Sequence, residues 1–144
     1  MSIRQNIIDI AMAERELPKP RVADYWQDVL TPQDFEGPHP PAWCGCFCLY
    51  CYHRAGLLLD AHWRVGHGFA ERFLRHELVT NVQVGDLAYF ASHQHHALVR
   101  DVVGGNVKLI NGNGLGGHIT LSQILTRQVT CFYSIAHLLP AGEP

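Results

Sequence analysis

The sequence predicts an α+β fold, with helices in the first part of the chain and an antiparallel sheet in the second. Two observations carry this. Near the N-terminus apolar residues recur at helical spacing between proline stops, whereas from residue 87 onward short apolar runs of strand length are separated by glycine-bearing turns. A third sets the scale: 144 residues with 47% hydrophobic content suit one domain over 1–144 with a real core.

Ile7, Ile8, Ala11 and Met12 share one helical face, which predicts a helix over 2–16 stopped by Pro18 and Pro20. A short second helix over 24–30 carries Tyr25, Trp26 and Leu30 and ends at Thr31-Pro32. Glu36-Gly37-Pro38-His39-Pro40-Pro41 is a stiff, extended loop that delivers the chain to Trp43-Cys44. An apolar run then forms a third helix that closes at Ala55-Gly56, with Gly56 as its C-terminal cap. Over 57–79 the pattern is weaker: a short helix at 69–75, with irregular backbone around Trp63, Gly66 and Gly68. Strands are expected over 87–91, 97–102, 107–110 and 129–135, a hairpin turn at Gly104-Gly105-Asn106, and one helical turn at 122–125.

A formal charge of -2 and a pI near 6.5 give no electrostatic footprint for nucleic acid. The ten histidines would turn the chain positive only in an acidic setting. Four of the five cysteines crowd into Cys44, Cys46, Cys48 and Cys51, where bridges within one helix have poor geometry. They read as reduced thiols, which fits synthesis and folding in the cytoplasm. The first residues mix Arg4, Gln5, Asn6 and Asp9 with apolar ones and do not resemble a signal peptide, and no stretch is long enough to cross a bilayer.

The chemistry lies in Cys44. A thiol at a helix start meets unpaired N–H groups and a partial positive charge that favour the thiolate. About fifty residues on come His93, His95 and His96, any of which a small register shift brings into play as a base. A further strand ends at Asn111-Gly112-Asn113. Cys, then His, then Asn is a cysteine-hydrolase order, with the N–H groups of the Cys44 turn as oxyanion donors. Cys48 and Cys51 share the helical face of Cys44 and read as packing; Cys46 and Cys131 read as structural. A Cys/His metal or redox protein is the rival reading, but Cys48-x-x-Cys51 lacks a second pair and would need His53 and Cys131 to complete it. No metal and no cofactor are expected. The glycine-rich 112–117 stretch lacks a phosphate-loop lysine and reads as a loop.

Ala42-Trp43-Cys44-Gly45-Cys46-Phe47 leading into a helix, Gly85-Asp86-Leu87, His95-His96-Ala97-Leu98-Val99 and Asn111-Gly112-Asn113 together resemble the CHAP branch of the NlpC/P60-like, papain-related cysteine peptidases and amidases. The resemblance covers most of the chain. It implies a papain-like architecture in which the nucleophile-bearing helix packs on the C-terminal sheet. It assigns Cys44 as nucleophile, His95 as base and Asn111, in place of the family's acid, as the group that orients the imidazole. Trp43, Tyr25, His96 and Asn113 are implied as neighbours that support the site or contact substrate. The implied activity is hydrolysis of an amide bond in peptidoglycan through a thioacyl intermediate, by a monomer that neither binds nucleic acid nor inserts in a membrane. Action on the cell wall or periplasm then requires export, injection or phage-mediated release, with a delivery machinery or an immunity protein as further partners. An inactive module that binds cell-wall peptides is the other alternative.

Overall fold

The structure, a computed structural model, describes residues 2–27, 43–57, 59 and 74–144. The first helix, α1 (Ile3–Arg15), starts where Ser2 accepts a hydrogen bond from the Gln5 N–H at 3.1 Å, and it buries Ile7, Ile8 and Ala11. Helix α2 (Val22–Gln27) is short. Helix α3 (Cys44–Arg54) buries every residue from Cys44 to Tyr52 and ends as expected at Gly56, whose φ of 95° suits a residue without a β-carbon. The proline-rich 36–41 segment, residues 28–30 of the second expected helix and most of the 69–75 helix lie outside the described residues.

Six strands follow: β1 (Arg75–Glu77), β2 (Leu87–Phe90), β3 (His95–Val103), β4 (Asn106–Asn111), β5 (Thr120–Leu125) and β6 (Cys131–Ser134). They form one sheet in the order β1-β6-β2-β3-β4-β5, and every neighbouring pair is antiparallel. The helical turn expected at 122–125 is instead part of β5. Backbone pairing along β4, from Asn106↔Leu125 to Asn111↔Thr120, gives this segment a full ladder that an isolated turn lacks. Strand β1 is an addition: Arg-His-Glu carries no apolar alternation, and it is held at the edge by β6.

Alternation along the strands divides the sheet into two faces. Leu87, Leu98, Ile110 and Tyr133 join the core formed with the helices, while Ala88, Ala97, Val99, Leu109 and Phe132 form a second cluster on the reverse. The β3–β4 hairpin pairs Leu98↔Ile110 and Val99↔Leu109, bulges at Arg100, and turns at Gly104, where φ is 60°. Helix α3 packs between α1, α2 and β3, so its N-terminus sits over the start of β3.

Two buried ionic groups tie elements together, one between helix and sheet and one between helices. Asp86, fully buried, accepts from Arg4 at 2.7 Å, from the Gln83 N–H at 2.9 Å and from the Ile135 N–H at 3.2 Å, linking α1, β2 and the end of β6. Glu14 accepts a forked pair from Arg21 at 3.1 and 2.7 Å and the Tyr25 hydroxyl at 2.9 Å, joining α1 to α2. No described helix is long and apolar enough to cross a membrane.

Candidate active site

Cys44 opens α3. The first bond of the helical ladder runs from the Phe47 N–H to the Trp43 carbonyl at 2.9 Å, so the N–H groups of Cys44, Gly45 and Cys46 precede the ladder. Trp43, the cap, makes no side-chain hydrogen bond to that turn. Its ring is buried between Tyr25 and Phe47, with centroids at 5.6 and 6.3 Å. Tyr25 also packs on Phe47 at 5.2 Å and on Tyr50 at 5.0 Å, and its hydroxyl is engaged by Glu14. Trp43 and Tyr25 therefore shape the seat of the cysteine helix from within the core.

The imidazole set against the Cys44 thiol belongs to His96. Burial is the largest influence on the thiol and pushes its pKa up. Hydrogen bonding from the His96 side chain, then the His96 backbone N–H, the ring's charge and the Gly45 N–H together outweigh burial, and the net pKa is lowered. The Cys44 thiol also points to the Gln94 carbonyl, with Sγ 4.0 Å from the oxygen. His96 is buried, pairs across the sheet with Tyr89, and packs on that ring at 4.9 Å.

The expected Cys44–His95 pairing is corrected by strand geometry. His95 precedes His96, so its side chain emerges on the reverse face with Ala97 and Val99. There it meets the residue named from the sequence: His95 Nε2 and Asn111 Oδ1 are 2.8 Å apart. The Asn111 amide donates to the Thr120 carbonyl at 3.2 Å and the Ser122 hydroxyl at 3.0 Å, which leaves Oδ1 as acceptor and assigns the ring proton to Nε2. Burial lowers the His95 pKa, with the Asn111 bond opposing it, so the ring is neutral at neutral pH. Asn111 thus orients a histidine, but one turned away from the thiol. His93 stacks on His95 at 5.5 Å, and both line a hollow of about 380 Å³ with Phe90, Asn111, Ser122 and Ile124. Asn113, exposed at φ 54°, stands at the rim of that hollow and not beside Cys44.

On β4 the position opposite His96, two steps beyond the Leu98↔Ile110 pair, is Gly112. A β-carbon there would lie 2.7 Å from the Phe47 Cβ, so α3 itself fills the place from which a β4 side chain would reach the ring. The remaining cysteines are free thiols. Burial drives the pKa of Cys46, Cys48 and Cys51 upward, as befits packing groups. His53 lies 3.0 Å from the Leu59 carbonyl, and among the described residues no three His, Cys, Asp or Glu side chains gather to hold a metal.

No protein-family model and no curated protein matches the chain. Among solved structures, the P60 domain of an antigen from M. avium subspecies paratuberculosis superposes with a TM-score of 0.59 over 92% of this chain and 93% of that one, at 16% identity. The chain therefore has a P60-like α+β fold, in which a cysteine helix packs on an antiparallel sheet.

Proposed function

We propose that the protein is a cysteine hydrolase of the NlpC/P60 superfamily, of CHAP type, that cleaves an amide bond in peptidoglycan. The observation that carries this reading is the meeting of Cys44 and His96 at the N-terminus of α3, within a P60-like fold. The Cys44 thiolate attacks the carbonyl carbon, and N–H groups of the first turn of α3 stabilise the oxyanion. His96 gives a proton to the leaving amine; the thioacyl enzyme is then hydrolysed by a water that His96 deprotonates. Tyr89, packed on the His96 ring, restrains its orientation in place of a third side chain from β4. The site of action is the cell wall, reached by export, injection or phage-mediated release.

The test is incubation of the purified protein with peptidoglycan sacculi and mass analysis of the released fragments. New amine and carboxyl ends that vanish with Cys44→Ala support the proposal. A wall-peptide-binding module is the second reading, favoured by Gly112 standing where an orienting side chain would be; binding to sacculi without fragment release would establish it and overturn the first.

A further inference from the structure

We propose that His95, held by Asn111, is a positioning residue for the cysteine site: it locks the corner from Gln94 to His96 whose backbone lies against the Cys44 sulfur. The proposal takes Cys44 as the nucleophile, as above, and assigns His95 a task outside the reaction itself. The corner touches the sulfur on both sides of His95, through the Gln94 carbonyl at 4.0 Å and through the His96 N–H and ring. The β2–β3 ladder ends at Phe90↔His95, and the end of a ladder is where a sheet opens first. Gln94, just beyond, is held at φ 51°, a left-handed conformation that a non-glycine residue keeps only when its surroundings impose it. The side chain between the two contacts supplies that restraint. His95 passes to the reverse face and donates Nε2–H to Asn111 on β4, and Asn111 is fixed in turn by Thr120 and Ser122 on β5. Three strands are thereby connected to the backbone that borders the thiol.

The experiment compares His95→Leu, which keeps bulk but removes the donor, with His95→Gln, whose amide N–H can take the place of Nε2–H. The thiol pKa of Cys44 is read from the pH dependence of its alkylation in each folded protein, alongside the melting temperature. His95→Leu should slow alkylation near pH 6 by about tenfold, the equivalent of about one pKa unit, while His95→Gln should stay within about twofold of the parent. An unchanged thiol in His95→Leu, or equal losses in both variants, overturns the proposal. If His95→Leu does not fold, Asn111→Ala breaks the same bond from the other side and must raise the thiol pKa likewise; if neither folds, the bond supports the whole sheet and the proposal fails. Alkylation needs no turnover. A parent protein that leaves sacculi intact yet shows the thiol shift refutes the hydrolase reading alone, and an active parent with an indifferent thiol refutes this one alone.

Discussion

Phe47 and Gly112 touch where β4 ends beneath α3, the Phe47 side chain occupying the space in which any β-carbon on residue 112 would sit. The contact explains why the glycine is needed, and it requires no unusual backbone angle. Gly112→Ala should destabilise the protein by about 1–3 kcal/mol, the ordinary cost of forcing a methyl group into a filled core. Denaturant unfolding measures this. Adding Phe47→Ala, which removes the Cγ and Cδ1 atoms that stand 2.9 and 3.0 Å from that position, should make the double variant more stable than the sum of the single losses implies.

Cys44 should be the thiol that iodoacetamide modifies first near neutral pH. Its pKa is lowered, whereas burial raises those of Cys46, Cys48 and Cys51 and also shields them from reagent. Peptide mapping after brief labelling gives the order. Modification of Cys46 ahead of Cys44 would contradict the placement of the nucleophile.

Among the three neighbouring histidines, His96 should carry the reaction. His96→Ala should reduce hydrolysis of sacculi by about 10²–10⁴-fold, the usual worth of a positioned acid–base group. It should also return Cys44 to an ordinary or raised thiol pKa, because the groups that offset burial come chiefly from that ring. His93→Ala should leave the rate close to the parent, since His93 stacks on His95 on the reverse face. Comparable losses at His93 would contradict this arrangement.

Glu77 should make stability fall with rising pH. Burial, then a hydrogen bond to Asp86 and that residue's charge, push its pKa from 4.5 to about 9, with Arg4 opposing. The folded protein keeps this proton after the unfolded chain has lost it. The favourable contribution is therefore complete below about pH 4.5 and drains away as the pH climbs toward about 9. Glu77→Gln should remove the slope, gaining on the parent steadily between those limits. Melting curves across the range test it, and parallel curves for the two proteins would exclude a shared proton between Glu77 and Asp86.

Much of the fold was legible because its elements end in residues with a mechanical meaning. Pro18 and Pro20 follow the end of the first helix, Gly56 closes the third, and Gly104-Gly105 turns the central hairpin. The segment 122–125 was misread as helical because Ser122-Gln123-Ile124-Leu125 is too short to show a period; its partner on β4 decides its state. The place of Cys44 at a helix start was legible, and so was the His95–Asn111 bond. Which histidine faces the thiol was not. Alternation separates His95 from His96, yet Leu98 and Val99 are both fully buried, so burial labels neither face as the one that α3 covers. Tyr89, Gln94 and the Phe47–Gly112 contact depend on tertiary packing and left no local mark in the sequence.

Burial of α3 along nearly its whole length means that the chemistry at Cys44 exists only once the fold is complete. An eleven-residue helix of cysteines and aromatics has little reason to persist in water, and neither the ordered N–H groups of its first turn nor the imidazole from β3 attends the thiol before the sheet docks. The unfolded chain therefore carries five unremarkable thiols. The distinct character of the Cys44 thiol arrives with the last packing step, so that a chain still emerging from the ribosome has no cysteine set apart from the other four.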